Sequence, residues 1–552
     1  MSRSRGRSSR AFAAAVLAGI ALMAVQLTPA TAAGPRVLRV GSYHGIRGQF
    51  RSIQGAVDAA QPGDWILIGP GDYREHGSTD PDLPAGVLIR TKHIHLRGMN
   101  RNGVIVDGTK RTAAVPCSSR KEDQTLGPIE DGHHVGRNGI EVFETSGVTI
   151  QNLTVCNFLT TPNGDAGNEI WWNGGDGSGH IHMHRYFGSY LTASSTYTNG
   201  VKPPFGDYGI FVSNANGPGV ITRTYASNMG DAAYYIGACP DCNAVLDRAH
   251  AQNSALGYSG TNSGGHLIIQ NSEWDHNKTG ITTDSENNDD WPSPQDGICP
   301  AGEKGPTGTT SCEIWRHNDI HDNNNPNVPG AGSGLAGAAP VGTGIVVAGG
   351  RHDTIIHNRI VHNGAWGVLI VDVPYQGNPP PGAHCQGGIP GPDDTCYYEA
   401  FANETAGNFL QHNGFFGNPT NGDLALAAIP HDPGNCFHGN TDPDGLTSDP
   451  PGIQGPPWNP CGQPNGGDEG PLVAEALCAT ELLFPCPQNP AADYPRPTTV
   501  KLMPIPREPS MPNPCVNVPV NPWCPLSTGM AAGASAVSAH PAAGVAPGRR
   551  EE

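Results

Sequence analysis

One short segment of the chain combines many acidic side chains with an aromatic ring. Its carboxylates occupy four of seven consecutive positions, namely Asp284, Glu286, Asp289 and Asp290, and Trp291 follows. Paired carboxylates serve as general acid, base or nucleophile in glycosidic bond cleavage, and oxygen ligands at this density also suit Ca²⁺. A solvated acidic loop is the alternative. The segment therefore predicts either a catalytic centre or a Ca²⁺ site.

Aromatic residues recur at one position of successive apolar runs. If Ile140, Ile210, Ala233, Gly257 and Ile281 point inward, the residue after each of them points outward. Those outward residues are Glu141, Phe211, Tyr234, Tyr258 and Thr282. Flat aromatic faces bury sugar rings, so the predicted glycan-binding residues are Trp171, Phe211, Tyr234 and Tyr258. The alternative is that some rings pack inside, since a shift of one residue turns every side chain over.

Three histidines alternate over five residues. His180, His182 and His184 would share one face of a strand. Imidazoles at positions i and i+2 can chelate a transition metal, but no fourth ligand is evident in the sequence. A polar strand edge is the alternative, and the metal site is a secondary hypothesis.

These residues lie within an internal repeat, in which a small residue precedes an apolar run. Copies begin at Gly209-Ile210, Ala232-Ala233, Leu256-Gly257, Gly280-Ile281, Gly344-Ile345 and Gly367-Val368, and four of the five intervals are 23 or 24 residues. One copy holds three short strands and cannot bury its apolar face alone, so the copies must stack. The pattern predicts an all-β protein, a right-handed parallel β-helix with asparagines in its turns.

The two ends of the repeat differ from its middle. Residues 52–60 place Ile53, Ala56 and Val57 on one helical face, which predicts a helix that caps the N-terminal end. We expect a signal peptide over residues 1–32, the β-helix over 33–440, a Pro/Gly/Cys-rich appendage over 441–526 and a disordered tail over 527–552.

Composition restricts the function. The chain has 552 residues, of which 75 are Gly and 52 Pro, and this excludes a long α-helical protein. A net charge of −18 argues against nucleic acid as a partner. The basic and then apolar N-terminus predicts a secreted or extracytoplasmic protein, and we expect a monomer without stable membrane insertion.

Fourteen cysteines fit an oxidising compartment. The pairs close in sequence, which predict disulfides, are Cys239/Cys242, Cys299/Cys312, Cys385/Cys396, Cys436/Cys461, Cys478/Cys486 and Cys515/Cys524. A zinc or redox half-site is the alternative for Cys239 and Cys242.

Residues 52–64 and 69–75, together with the coil repeats, resemble the secreted pectin-lyase-like right-handed parallel β-helix family over about residues 36–430. The resemblance implies a polysaccharide lyase, hydrolase, esterase or epimerase, or a binding protein of the same fold. The family's pectinase signatures are missing, apart from a faint likeness at residues 288–290.

We therefore expect a protein that binds and cleaves an extracellular polysaccharide, as a lyase or a glycoside hydrolase. The rival hypothesis is a non-catalytic scaffold or accessory binding protein, and metal handling is a third. No cofactor is fixed by the sequence, although Ca²⁺ is a candidate.

Overall fold

A computed structural model describes residues 34–525 apart from 163, 165, 176–179, 240, 287–312, 332–333, 376–384, 386–387, 393–394, 468–469, 481–491 and 493. Contacts group Arg36–Glu552 into one compact unit and Met1–Pro35 into another. The predicted signal peptide and C-terminal tail lie outside the described residues, and so do Asp289 and Asp290. The domain boundaries stay predictions.

Parallel strands stack from coil to coil into a right-handed β-helix, as the repeat predicted. One sheet, here called the groove sheet, has eleven parallel strands with one strand from each coil. They are Ala85–Ile89, Asn138–Phe143, Ile170–Asn173, Ile210–Ser213, Ala232–Gly237, Leu256–Thr261, Thr279–Asp284, Thr343–Ala348, Trp366–Val371, Gly422–Ala427 and Ser448–Asp449.

The other two sides of the coils form one continuous sheet of eighteen strands. They are Val37–Val40, Trp65–Ile68, Gly71–Tyr73, His95–Gly98, Val104–Asp107, Val148–Cys156, Met183–Ser194, Ala215–Ser227, Ala244–Gln252, Leu267–Gln270, Glu273–Asp275, Glu313–Arg316, Asp319–His321, Thr354–Ile356, Arg359–Val361, Glu404–Ala406, Phe409–Gln411 and Cys436–His438.

Asparagines occupy the bends between these strands. Asn152 bends the strand Val148–Cys156 with a left-handed backbone of φ 60°, which Asn tolerates better than most residues. Deeper in the solenoid the side-chain amide of Asn318 donates to Asn358, and that of Asn358 donates to Asn408, both at 3.0 Å. Such ladders satisfy buried polar groups along the axis, as the turn interpretation required.

The predicted inward residues are wrong in two coils. Ile210 pairs with Tyr234 rather than Ala233, and Tyr234 in turn pairs with Tyr258. Both tyrosines are therefore core residues, 1% and 0% exposed, and the prediction that they face outward is wrong. Because a strand alternates, the residues that do face outward there are Tyr235 and Ser259.

A helix covers the N-terminal end of the core. It spans Ile53–Ala59, its N-cap Ser52 accepts a hydrogen bond from the amide of Gly55, and Ile53, Ala56 and Val57 are buried. This confirms the predicted cap, which shields the first coil from edge-to-edge pairing.

Smaller elements decorate the coils. They are the helices Gly334–Gly337 and Pro471–Ala479, the 3₁₀ turn Lys121–Asp123, the hairpins Ser42–Tyr43/Ile46–Arg47 and Ile129–Glu130/His133–His134, and a three-stranded sheet of Val373–Tyr375, Ile389–Pro390 and Cys396–Tyr398. No helix among the described residues is long and apolar enough to cross a membrane.

Five disulfides join described cysteines. Four are predicted pairs, namely Cys239–Cys242, Cys385–Cys396, Cys436–Cys461 and Cys515–Cys524. The fifth, Cys117–Cys156, spans 39 residues and had no local signal in the sequence. The predicted bridge Cys299–Cys312 lies outside the described residues, as does Cys486, the predicted partner of Cys478.

Candidate functional site

A groove of about 830 Å³ runs over the outward face of the groove sheet. Its floor is formed by outward side chains of successive coils, and the helices Gly334–Gly337 and Pro471–Ala479 contribute to its walls through Ala336 and Val473. The sheet therefore positions the side chains on the floor of the groove, while segments outside the repeat form its walls.

Four aromatic rings cluster on the floor of this groove. Trp171 stacks on Phe211 with ring centroids 4.9 Å apart, and Tyr208 stacks on the same phenyl ring at 4.3 Å. Tyr235 meets Phe211 edge-on at 4.8 Å. Trp171 and Phe211 are neighbours because their strands pair in register, and both stay partly exposed. The four rings together form an apolar platform of the kind that sugar rings contact.

Two aspartates stand beside the platform where adjacent coils enter the groove sheet. Asp207 and Asp231 are stacked, since the amide of Asp231 donates to the carbonyl of Asp207 at 3.1 Å. Burial, together with the negative charge of Asp207, raises the pKa of Asp231 well above its usual range, against a hydrogen bond from the Tyr208 hydroxyl. Burial and the neighbouring carboxylate thus both favour the protonated form of Asp231.

A second pair of carboxyls lies on the same groove, two coils further along. Burial raises the pKa of Asp284, while hydrogen bonds to Glu286 and Thr261 oppose the shift. The hydroxyl of Thr261 donates to Asp284 at 3.0 Å. The titrations of these two carboxyls are therefore linked. A Ca²⁺ site at this pair stays a prediction.

The groove brings together four of the residues chosen from the sequence. Trp171, Phe211, Asp284 and Glu286 all line it, whereas Tyr234 and Tyr258 lie in the core behind it. The hydroxyl of Tyr258 donates to the backbone carbonyl of Ile236 at 2.9 Å, which satisfies the buried ring.

Only one member of the histidine triplet, His184, lies in a strand, and a metal site at the triplet stays a prediction. The strand begins at Met183, so His180 and His182 precede it, and their ring centroids are 6.3 Å apart. Among the described residues, the groups of three whose ligand atoms all lie within 4.8 Å of one another do not include this triplet. The prediction that the three imidazoles share one strand face is wrong.

Sequence reasoning missed Asp207, Tyr208, Asp231 and Tyr235. A signal was present, because Gly206-Asp207 and Gly230-Asp231 place the same dipeptide three residues before equivalent inward positions, Ile210 and Tyr234. Aligning the coils on Tyr234 instead of Ala233 would have exposed both the aspartate pair and the correct outward ring.

No protein-family profile matches the chain, and no curated protein sequence is similar to it. Among solved structures the chain is similar to the A-module of Azotobacter vinelandii mannuronan C-5 epimerase AlgE4, with 14% identity, 72% of this chain and 87% of that chain covered, and a TM-score of 0.37. It is also similar to the Yersinia enterocolitica family 28 exopolygalacturonase, with 11% identity, 74% of this chain and 75% of that chain covered, and a TM-score of 0.38. A third similar structure is Erwinia chrysanthemi pectin methylesterase PemA, with 13% identity, 52% of this chain and 80% of that chain covered, and a TM-score of 0.25. Likeness at this level adds nothing to what the strand register already shows about the fold.

Proposed function

We propose that this protein is a glycoside hydrolase that binds a neutral polysaccharide along the groove and cleaves a glycosidic bond there. The observation that carries the proposal is that the carboxyl pair Asp207/Asp231 stands beside the aromatic platform, in a groove that Asp284 and Glu286 also line. Burial raises the pKa of Asp231 and of Asp284, and titratable groups with perturbed pKa values in a cleft are candidates for catalysis.

The lining of the groove favours a neutral substrate over a polyanionic one. None of the described residues that line the groove is Lys or Arg. Five acidic residues do line it, namely the four named above and Asp372. A uronate chain would meet like charge without a cation to offset it. The lyase reaction eliminates next to a uronate and also needs a cation to offset the uronate charge. Hydrolysis is therefore favoured over the lyase reaction.

The Asp207/Asp231 pair is placed to carry out hydrolysis. Asp231, whose pKa is raised by burial and by Asp207, is the group that donates a proton to the leaving oxygen. Asp207, on the adjacent coil, acts as base or nucleophile on a sugar held against the aromatic platform, since neighbouring strands are about 4.8 Å apart. Asp284 and Glu286 lie four coils from Trp171, about 19 Å at that spacing, and contact the polysaccharide further along the groove. Tyr208, which donates to Asp231, orients the acid.

We infer that the enzyme acts outside the cytoplasm. Five disulfides between described cysteines fit an oxidising compartment, where polysaccharide substrates are also found.

The test is a panel of neutral and uronate glycans with readouts for new reducing ends and for unsaturated products. We expect reducing ends from a neutral glycan only. Asp231→Asn should lower turnover by about 100-fold or more while binding changes little, since a general acid contributes about 10²–10⁴-fold. Asp82→Asn, at an exposed carboxyl outside the groove, is the matched control and should retain activity.

Two outcomes would contradict the proposal. Unsaturated products would identify a lyase. If the wild type and Asp82→Asn both bind a glycan and neither cleaves it, the result would instead favour the accessory binding protein.

A further inference from the structure

A second cluster of carboxylate and imidazole side chains lies on the eighteen-stranded sheet and includes none of the groove residues. Trp274 points into the core and is fully buried, so Glu273 and Asp275 on either side of it face outward from one coil. The coil before pairs His250 with Glu273, and the coil after pairs His321 with Asp275. Three consecutive coils thus bring two carboxylates and two imidazoles onto one patch of surface.

The donor atoms of this patch converge. His250 Nε2 lies 2.7 Å from Asp275 Oδ1 and 3.8 Å from Glu273 Oε2. On the opposite side, His321 Nε2 lies 3.4 Å from Glu273 Oε1. One atom each of His250, Glu273 and Asp275 lies within 4.8 Å of the other two. Ligands about 2.0–2.2 Å from one ion are roughly 3–4 Å apart, so the separations of His250, Glu273 and Asp275 match a shared ion. His321 reaches this group through Glu273 and would have to move toward the ion to bind it.

The groups behind the donors hold them in a ligating orientation. His321 Nδ1 is 2.9 Å from Asp322 Oδ2, which leaves Nε2 aimed at Glu273. A carboxylate on the far ring nitrogen is the usual partner of a metal-binding imidazole, because it fixes the tautomer and makes the ligand more basic. On the other side, Gln252 Nε2 donates to Asp275 Oδ2 at 2.7 Å and leaves Oδ1 toward His250.

The carboxylates of the patch pair with imidazoles. In the described part of the chain the ion pairs of Glu273 and Asp275 are made with histidines and with neither Lys nor Arg. Without metal, imidazole protons balance these carboxylates, and a divalent ion would take the place of those protons on binding.

We propose that His250, Glu273, Asp275 and His321 bind one divalent ion of the zinc class. Two imidazoles beside two carboxylates favour a first-row ion such as Zn²⁺ over Ca²⁺, which takes oxygen ligands. The ion joins three coils at a place distant in sequence from the triplet His180–His184, where the sequence had suggested a metal. This site is independent of the proposed hydrolase groove.

The experiment measures Zn²⁺ binding to the full chain, purified without a histidine tag and stripped of metal, by calorimetry and by competition with a chromogenic chelator. We expect one tightly bound equivalent. Glu273→Gln and His321→Gln should each weaken binding by at least about 10-fold, since even partners behind the ligands contribute about 10–100-fold. Both side chains lie at the surface, and circular dichroism in the absence of metal verifies the fold of each variant.

Two controls separate this site from other surface histidines. His412→Gln removes an exposed imidazole that pairs with Asp444 in the same way, 3.3 Å away, and should bind Zn²⁺ as the wild type does. Replacing the triplet at 180, 182 and 184 by Gln should also leave binding intact. Zn²⁺ should raise the melting temperature of the wild type and both controls, and not that of Glu273→Gln.

The proposal is overturned if no equivalent binds at micromolar Zn²⁺. It is equally overturned if Glu273→Gln and His321→Gln retain wild-type affinity, or if the triplet variant alone loses the metal.

Discussion

Asp353 is a buried acid whose replacement by Asn should stabilise the solenoid above acidic pH. It is fully buried, its Oδ1 accepts the amide of Glu313 at 3.2 Å, and its Oδ2 has no hydrogen-bond partner in the described structure. Burial raises the pKa of Asp353 from 3.8 to about 8. At about 1.4 kcal/mol per pKa unit, keeping the acid protonated at pH 7 costs the folded state about 4 kcal/mol. An uncharged amide has no such cost.

The sign of the pH dependence follows from the direction of the shift. The folded pKa of Asp353 lies above the unfolded one, so its contribution to stability is complete below about pH 4 and is lost as pH rises to about 8. The free energy of unfolding of Asp353→Asn should therefore equal that of the wild type near pH 4. It should exceed the wild-type value by up to about 4 kcal/mol at pH 7 and level off above pH 8. Calorimetric melting from pH 4 to pH 9 measures this difference.

The next coil offers the opposite substitution, Asn to Asp, as a control. Asn403 stacks on Asp353, whose amide donates to Asn403 Oδ1 at 2.9 Å, and Asn403 Nδ2 donates to Asn435 Oδ1 at 2.9 Å. The amide introduced by Asp353→Asn would extend that ladder, whereas Asn403→Asp would place a second carboxyl in it and steepen the loss of stability with pH. The reasoning is refuted if Asp353→Asn melts at or below the wild-type temperature at pH 8, or if Asn403→Asp shows no pH dependence beyond that of the wild type.

Three other outcomes follow from the structure. Tyr258→Ala should lower the free energy of unfolding by about 3–5 kcal/mol, because it leaves a cavity in the core; a variant as stable as the wild type would contradict the inward register. Cys117→Ser should lower the free energy of unfolding by about 4 kcal/mol, because it opens the 39-residue loop closed to Cys156; denaturation of the variant and of the wild type, both with their other disulfides intact, measures the difference, and equal stability would contradict the bridge. Turnover of a cleaved glycan should fall on the alkaline side as Asp231 loses its proton, and a flat alkaline limb in the pH profile would exclude it as the acid.

The coil repeat was predictable because its period is long and its apolar positions recur. A spacing of 23 or 24 residues with one small residue before each run leaves few folds that can bury the apolar face. The capping helix was equally visible, since Ile53, Ala56 and Val57 follow helical spacing and Ser52 precedes them. Both predictions rest on order along the chain, which the sequence displays directly.

The inward or outward direction of single residues was less visible. The strand Ala232–Gly237 is buried at every position, so its two faces do not differ in polarity and alternation cannot choose between them. Tyr234 occupies a core position because its hydroxyl finds Thr224 Oγ1 at 3.1 Å. A buried hydroxyl with a partner behaves as an apolar side chain, and the sequence alone does not show the partner.

The depth of the groove could not be predicted at all, because segments far apart in sequence create it. Val473 belongs to a helix about 300 residues beyond Trp171, and no local pattern links the two. Asp207 and Asp231 were missed for a related reason: they lie in turns before strands, where an aspartate ordinarily signals only a bend. Their significance comes from stacking on adjacent coils beside the rings.

The C-terminal segment packs against the eighteen-stranded sheet, on the other side of the solenoid from the groove sheet. Arg97 NH1 donates to the carbonyls of Pro514 and Val516 at 3.0 and 2.7 Å, and the Arg101 guanidinium, 2% exposed, reaches the carbonyl of Pro509 at 3.2 Å. These buried cations would carry an unmet hydrogen-bonding demand if that segment were absent. The segment thus covers part of the eighteen-stranded sheet, while the helix Pro471–Ala479 that precedes it deepens the groove instead. The helix Pro471–Ala479 and residues 509–516, which lie outside the repeat, therefore pack on different sides of the solenoid, and this is why residues of the repeat and walls from outside it meet in the groove.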